Sequence, residues 1–136
     1  TVVRALNPGG GRLGVRGSFH PGFPQLHAEV EHVIGNKSHS VISFKGQNGE
    51  SEYNPKVSQT VWLSSPEKVE SFYWKGSMHE ELSLPESCVF GTPEDEMEMM
   101  ANSVVDTMTA VLFAETHDKP EAYKRASELW EAYCRS

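Results

Sequence analysis

The chain has 136 residues, of which 38% are hydrophobic, enough for one domain with little room for a second. No apolar run approaches the roughly 18 residues that a membrane-spanning helix needs, so a bilayer segment is not expected. The two cysteines form no CxxC pair and are too few for a disulfide scaffold, which favours free thiols in a reducing compartment.

The net charge of −7 is unevenly distributed along the chain. Residues 1–85 carry eight Lys/Arg and eight Asp/Glu, whereas residues 86–136 carry four against eleven, so the whole excess lies in the last third. A polyanion such as nucleic acid is repelled by that third and is expected to approach only the neutral part.

The first part of the chain has β-type patterning. In residues 1–19, "VVRAL" and "RLGVRGSF" flank the glycine-rich turn "NPGGG", which predicts an N-terminal hairpin. "HPGFP" at 20–24 predicts a loop. "LHAEVEHVI", "SVISFKGQ", "YNPKVSQTVWL" and "FYWKGSMHEELSLP" each alternate and are separated by turns. The sequence therefore predicts an antiparallel meander sheet over residues 26–86.

The last part of the chain has helical patterning and predicts two helices over residues 92–134. Thr92 is the expected N-cap of the first helix, with Pro93 at its first position and acidic residues in its first turn. Asp118 is the expected cap of the second. The fold class is then α+β, a single domain in which two C-terminal helices cover one face of the sheet and leave the other bare.

"HAE" at 27–29 resembles the start of a zinc deaminase site, but the remaining ligands are absent. Such a site takes two further ligands from Pro-Cys-x-x-Cys, which this chain lacks. On the predicted strand His27 and His32 would point to opposite faces. There is also no GxSxG and no phosphate-binding loop. The sequence predicts no metal, no cofactor and no enzymatic activity.

The predicted strands place polar and apolar side chains on opposite faces. Ile42, Phe44, Val61 and Trp74 belong to the apolar side, where the helices should pack. The other side carries lysines, hydroxyls, amides and a tyrosine ring, which suit phosphate neutralisation, base-edge recognition and base stacking. An ordinary solvated face explains the same pattern equally well. The candidate RNA-binding residues are Ser43, Lys45, Asn54, Lys56, Ser58, Tyr73, Lys75, Ser77, His79 and Glu81.

The order of these elements resembles the coat protein of single-stranded RNA bacteriophages, the levivirus family. "ALNPGGGRLGV" stands where that family has its N-terminal hairpin, and residues 27–57 resemble its polar-alternating strands. "YWKGSMHEELSLPE" resembles its last strand, and "GTPEDEMEMMANSVVDTMTAVL" begins where its first C-terminal helix begins.

The resemblance implies a structural protein that dimerises through sheet edges and helices and then assembles into an icosahedral shell. It implies genomic RNA on the inward sheet face, binding of an operator hairpin as a translational repressor, and a place in the virion after assembly in the bacterial cytoplasm. Seven of the candidate residues match family positions: Ser43, Lys45, Asn54, Lys56, Ser77, His79 and Glu81. The alternative, which the net charge favours, is a small acidic protein-binding module of the immunity-protein type.

Overall fold

The chain folds as a four-stranded mixed sheet followed by two long helices. A computed structural model describes residues 11–34, 39–47, 52–85 and 91–136. The predicted α+β class and the C-terminal position of the two long helices are confirmed. The elements are β1 (Leu13–Ser18), α1 (Phe23–Ile34), β2 (Ser40–Lys45), β3 (Gln59–Ser64), β4 (Val69–Trp74), α2 (Glu94–Thr116) and α3 (Lys119–Arg135).

The strand order in the sheet is β1-β2-β3-β4, with one parallel and two antiparallel pairs. β1 runs parallel to β2, with Leu13 opposite Ser40, and α1 provides the crossover that a parallel pair requires. β2, β3 and β4 form the antiparallel meander that the sequence predicts. The prediction of an entirely antiparallel sheet is therefore wrong for its first pair.

The largest correction concerns residues 26–34, predicted as a strand but folded within α1. Gly22 has φ +84° and Pro24 lies in the first turn, a common arrangement at a helix start. The segment is rich in Ala, Leu, Glu and Gln, which favour helix. The segment alternates like a strand, but it also has apolar residues at the helical spacing of three and four, namely Phe23, Leu26, Val30 and Val33.

The predicted N-terminal hairpin lies partly outside the described residues. Its second arm is β1, which pairs in parallel with β2. Its first arm, within residues 1–10, and the candidate thiol Cys88 both belong to the part that the structure does not describe.

Two predicted strands are shorter than expected. The strand predicted from residue 53 begins only at Gln59, and the strand predicted over 72–85 ends at Trp74. Beyond Trp74 the chain continues beside the loop that precedes β3. The backbone N–H of Gly76 donates to Ser58 Oγ at 2.9 Å, and a Cβ on Gly76 would lie 2.7 Å from the carbonyl oxygen of Lys56. This close approach leaves room only for glycine.

The apolar core lies between the sheet and the two C-terminal helices. Phe113 of α2 is the central side chain, with edge-on ring contacts to Phe72 at 4.9 Å and to Trp74 at 5.2 Å. Ile42 and Phe44 of β2 belong to the same cluster. The predicted apolar side of the sheet is therefore confirmed as the side that packs on the helices.

The ends of the C-terminal helices are close to those predicted. Asp118 caps α3, and its Oδ1 accepts the backbone N–H of Glu121 at 3.1 Å, as the sequence predicts. The cap of α2 is Pro93 rather than the predicted Thr92, and no side chain hydrogen-bonds there. Three acidic residues in the first turn still complement the positive end of that helix.

The opposite face of the sheet is partly covered by α1, which contradicts the prediction of a bare face. Ser43 is completely buried on this side. Arg16 of β1 donates to Glu31 of α1 at 3.0 Å, and the ring of His39 lies 3.7 Å from the other Glu31 carboxylate oxygen. α1 therefore packs polar side chains against the sheet.

Candidate nucleic-acid interface and polar cavity

The structure separates the ten candidate residues instead of gathering them on one face. Ser43 is buried on the α1 side. Lys45 and Tyr73 lie on that same side, because Phe44 and Trp74 beside them point into the apolar core. The other seven lie off the regular strands, in the loop before β3 (Asn54, Lys56, Ser58) and in the chain after β4 (Lys75, Ser77, His79, Glu81).

Lys45, Thr60 and Tyr73 form a row on one side of three neighbouring strands; Thr60 and Tyr73 are exposed, and Lys45 is half-buried. Thr60 is directly opposite Tyr73. The pairing of β2 with β3 ends at Ser43, and beyond it the backbone of Lys45 bonds to the side-chain amide of Gln59: its N–H donates to Oε1 at 2.6 Å and its carbonyl accepts from Nε2 at 3.2 Å. The row lies at the end of the strands beyond buried Ser43, and the side chain of Tyr73 is 72% exposed.

Phe19, just after β1, adds a second aromatic ring to this row. It is 53% exposed, and the Nζ of Lys45 lies 6.0 Å from its ring centroid. We call Phe19, Lys45, Thr60 and Tyr73 the sheet-end surface. Two open rings, a cation and a hydroxyl can stack on unpaired bases and contact phosphate oxygens.

A polar cavity of about 210 Å³ lies on the other side of the chain that leaves β4. It is bounded by that chain, by α2 and by the start of α3. Three of the ten candidates, Lys75, Ser77 and His79, line it together with Asp106, Lys119 and Tyr123. The predicted residues in this group do converge, but around a cavity and away from the sheet-end surface.

His79 is held in the cavity by contacts on three sides. Its Nε2 lies 3.4 Å from Oδ1 of Asp106, and its ring packs on Tyr123 with 4.4 Å between centroids. The buried side chain of Asn102 fixes its backbone: Oδ1 accepts the His79 N–H at 2.6 Å, and Nδ2 donates to the His79 carbonyl at 3.2 Å. The imidazole is therefore positioned before any ligand arrives.

Burial perturbs three ionisable groups around this cavity. It raises the pKa of Asp106, and the nearby His79 and Lys119 oppose that change. It lowers the pKa of Lys119, whose Nζ lies 4.5 Å from the Trp74 ring centroid, and Asp106 opposes this. The pKa of Tyr53 is raised by burial and further by Asp106. Ionisable groups perturbed by burial in one cavity are typical of functional sites, although structural ion pairs share the pattern.

Sequence reasoning missed the residues that complete both places. Thr60 lies on the predicted polar side, but the sequence pattern places Phe19 in the N-terminal hairpin. Asp106, Lys119 and Tyr123 lie on the predicted helices, and nothing in a helical period indicates that they approach His79.

Among residues 11–34, 39–47, 52–85 and 91–136, no cluster of three or more His, Cys, Asp or Glu is placed to hold a metal. In the same ranges no helix is long and apolar enough to cross a membrane.

Comparison of the chain with protein-family models, with curated proteins and with solved structures gave no match. Three features of the described residues bear on function: the sheet-end surface, the cavity and the exposed apolar side of α1.

Proposed function

We propose that the chain is a structural protein that binds single-stranded RNA through the sheet-end surface. The observation that supports this is the pair of exposed rings, Phe19 and Tyr73, which lie with exposed Thr60 and half-buried Lys45 at one end of the sheet. Aromatic rings stack on bases that are not already stacked in a duplex, so such a surface favours single strands.

The distribution of charge also supports RNA binding on this side of the sheet. α2 packs on the sheet face opposite to Lys45 and Tyr73, and α3 packs on α2. The excess negative charge of the chain is in residues 86–136, which include these helices. RNA on the sheet-end surface would therefore lie on the far side of the sheet from the acidic helices, where repulsion is weakest.

The test is binding of a fluorescein-labelled, uridine-rich RNA, measured by anisotropy at fixed salt. We expect Tyr73→Ala to weaken binding about tenfold through lost stacking, and Lys45→Glu to weaken it at least as much. Lys68→Glu is the matched control, because Lys68 is also exposed beside the sheet but at the opposite end of β4. Equal losses from Lys45→Glu and Lys68→Glu would mean that RNA responds to net charge alone, and the proposal would be wrong.

A second part of the proposal is self-assembly, first into a homodimer and then into a shell. It is supported by the outer side of α1, where apolar side chains are exposed instead of buried: Val33 is 79%, Ile34 61% and Leu26 44% exposed. β4 adds an edge strand, since no other strand of the described residues pairs with its outer edge.

Particle size in solution tests assembly. Light scattering and negative-stain microscopy of the purified protein should show dimers or larger shells, and Val33→Lys should shift the population towards smaller species. A stable monomer of 15.1 kDa would contradict assembly and favour the acidic protein-binding module.

A further inference from the structure

We propose that the cavity around His79 is a binding site for a phosphate group, at the end of a phosphorylated small molecule or of an RNA strand. This site is separate from the sheet-end surface, and the inference does not depend on RNA binding there.

The charges around the cavity favour an anion. Lys75 and Lys119 contribute two cations, and the imidazole of His79 lies beside them. The carboxylate among the residues that line it is Asp106, which is already beside His79 at 3.4 Å. The cavity is therefore locally positive in a chain whose net charge is −7. A small concave region with a net positive charge concentrates anionic ligands.

Lys119 places an accessible cation at the edge of the cavity. It is the first residue of α3 and is exposed to solvent, and its Nζ lies 4.5 Å from the Trp74 ring centroid. Partial desolvation lowers its pKa, and the helix dipole at this end of α3 disfavours a cation. A phosphate would offset both effects by pairing with the ammonium group. Ser77 adds a hydroxyl donor, and Asn102 keeps His79 in place from behind.

The competing ligand is an organic ammonium, which Asp106 and the rings of Tyr53, Trp74 and Tyr123 could attract. The Trp74 ring is already occupied, however, because the Nζ of Lys119 lies 4.5 Å from its centroid. The protein's own cation fills that position, which favours an anion as the external ligand.

The experiment is calorimetric titration of the full chain with inorganic phosphate, with tetramethylammonium chloride as the opposite probe. We expect saturable phosphate binding, and a loss of about tenfold or more in affinity for Lys119→Gln and for Lys75→Gln. Lys124→Gln is the matched control, because Lys124 is exposed on the same helix and does not line the cavity. Lys75 and Lys119 are both exposed, so neither substitution should prevent folding, and a circular dichroism spectrum of each variant checks this.

Asp106→Asn separates the two ligand classes by the sign of its effect. Removing the carboxylate should tighten phosphate binding, whereas it would weaken binding of an ammonium ion. The inference is overturned if phosphate does not bind saturably, if Lys75→Gln and Lys119→Gln behave like Lys124→Gln, or if tetramethylammonium binds instead.

Two further ligands identify the source of the phosphate. If the site takes RNA ends, a short 5′-phosphorylated RNA should bind more tightly than its 5′-hydroxyl form, and Lys119→Gln should remove the difference. If it takes small molecules, a mononucleotide should compete with inorganic phosphate and the two RNAs should bind equally. Tyr73→Ala should leave inorganic phosphate binding unchanged, so failure of the sheet-end surface and failure of the cavity are distinguishable.

Discussion

The two faces of the sheet are covered by helices in different ways. On one face, α2 brings Phe113 and small residues such as Ala110 onto a layer of apolar and aromatic side chains. On the other face, α1 brings Glu31 onto Arg16 and His39. The same four strands therefore support an apolar core on one side and a buried ion-pair cluster on the other.

The buried side of α1 combines apolar and polar residues. Pro24 and Ala28 are buried there together with His27 and Glu31, while Leu26 and Val33 are exposed. Apolar burial stabilises a fold in any arrangement that excludes water, but a buried charge is tolerated only with its partner in place. We therefore expect substitutions on the two faces to differ in size and in how they can be rescued.

The largest effect is expected for Phe113→Ala in the apolar core. Phe113 is 3% exposed and contacts both Phe72 and Trp74, so truncation should lower the free energy of unfolding by about 3–5 kcal/mol. Urea unfolding measures this, with exposed Leu129→Ala as the control that should change stability by less than about 0.5 kcal/mol. A small loss at Phe113 would place the main stabilising core elsewhere.

The next largest effect is expected for Glu31→Gln under α1. It leaves the guanidinium of Arg16 partly buried without its anion, and should cost about 2–3 kcal/mol in urea unfolding. The double variant Arg16→Met, Glu31→Leu should regain most of that loss, because no charge is then left unpaired. A double variant that is less stable than Glu31→Gln alone would show that the ion pair itself stabilises α1.

Two glycine-to-alanine substitutions, one in the chain after β4 and one in β1, are expected to have smaller effects on stability. At Gly76 an added Cβ would meet the backbone of Lys56 at 2.7 Å, so Gly76→Ala should cost about 1–3 kcal/mol. At Gly14, on the α1 side, the nearest atoms belong to the side chains of Arg16 and His39, at 3.0 and 3.1 Å, and not to the backbone. Thermal unfolding should therefore rank Gly14→Ala as the milder change, and the reverse order would mean that the Arg16–His39 arrangement is rigid.

The smallest expected effect is the pH-dependent one at Asp106. Burial raises its pKa in the folded protein, so its contribution to stability is present below the unfolded pKa and is lost as pH rises through the folded pKa. Asp106→Asn should therefore be more stable than the parent chain at neutral pH. The gain should vanish below about pH 4, where the carboxyl is protonated in both states. A gain in stability that persists below that pH would not come from the ionisation of Asp106.

The C-terminal half of the fold was predictable because its signals are local. Asp118 caps α3 as expected, and the acidic first turn marks the start of α2 within two residues. α1 was not predictable, because an amphipathic helix usually buries its apolar residues, whereas this one buries His27 and Glu31 and exposes Val33. A stretch that alternates and is also rich in helix-forming residues fits either a strand or a helix. The choice depends on tertiary structure, because β1 pairs in parallel with β2 and α1 is the crossover between them.

The candidate site was predictable only where strand alternation holds. Lys45 and Tyr73 share a face because both lie within regular strands. Alternation says nothing beyond Trp74, where the chain leaves the sheet, so Lys75 and His79 were assigned to the wrong surroundings. The partners of His79, Asp106 and Tyr123, come from two different helices, and that approach depends on tertiary packing.

The parallel pairing of β1 with β2 also bears on how the protein emerges from the ribosome. β2, β3 and β4 pair with neighbours close in sequence and can assemble as soon as each is synthesised. β1 leaves the exit tunnel before α1 and β2, so it must wait for both before its hydrogen-bonding partner exists. The oldest described strand of the nascent chain thus cannot pair until a helix and a second strand have followed it.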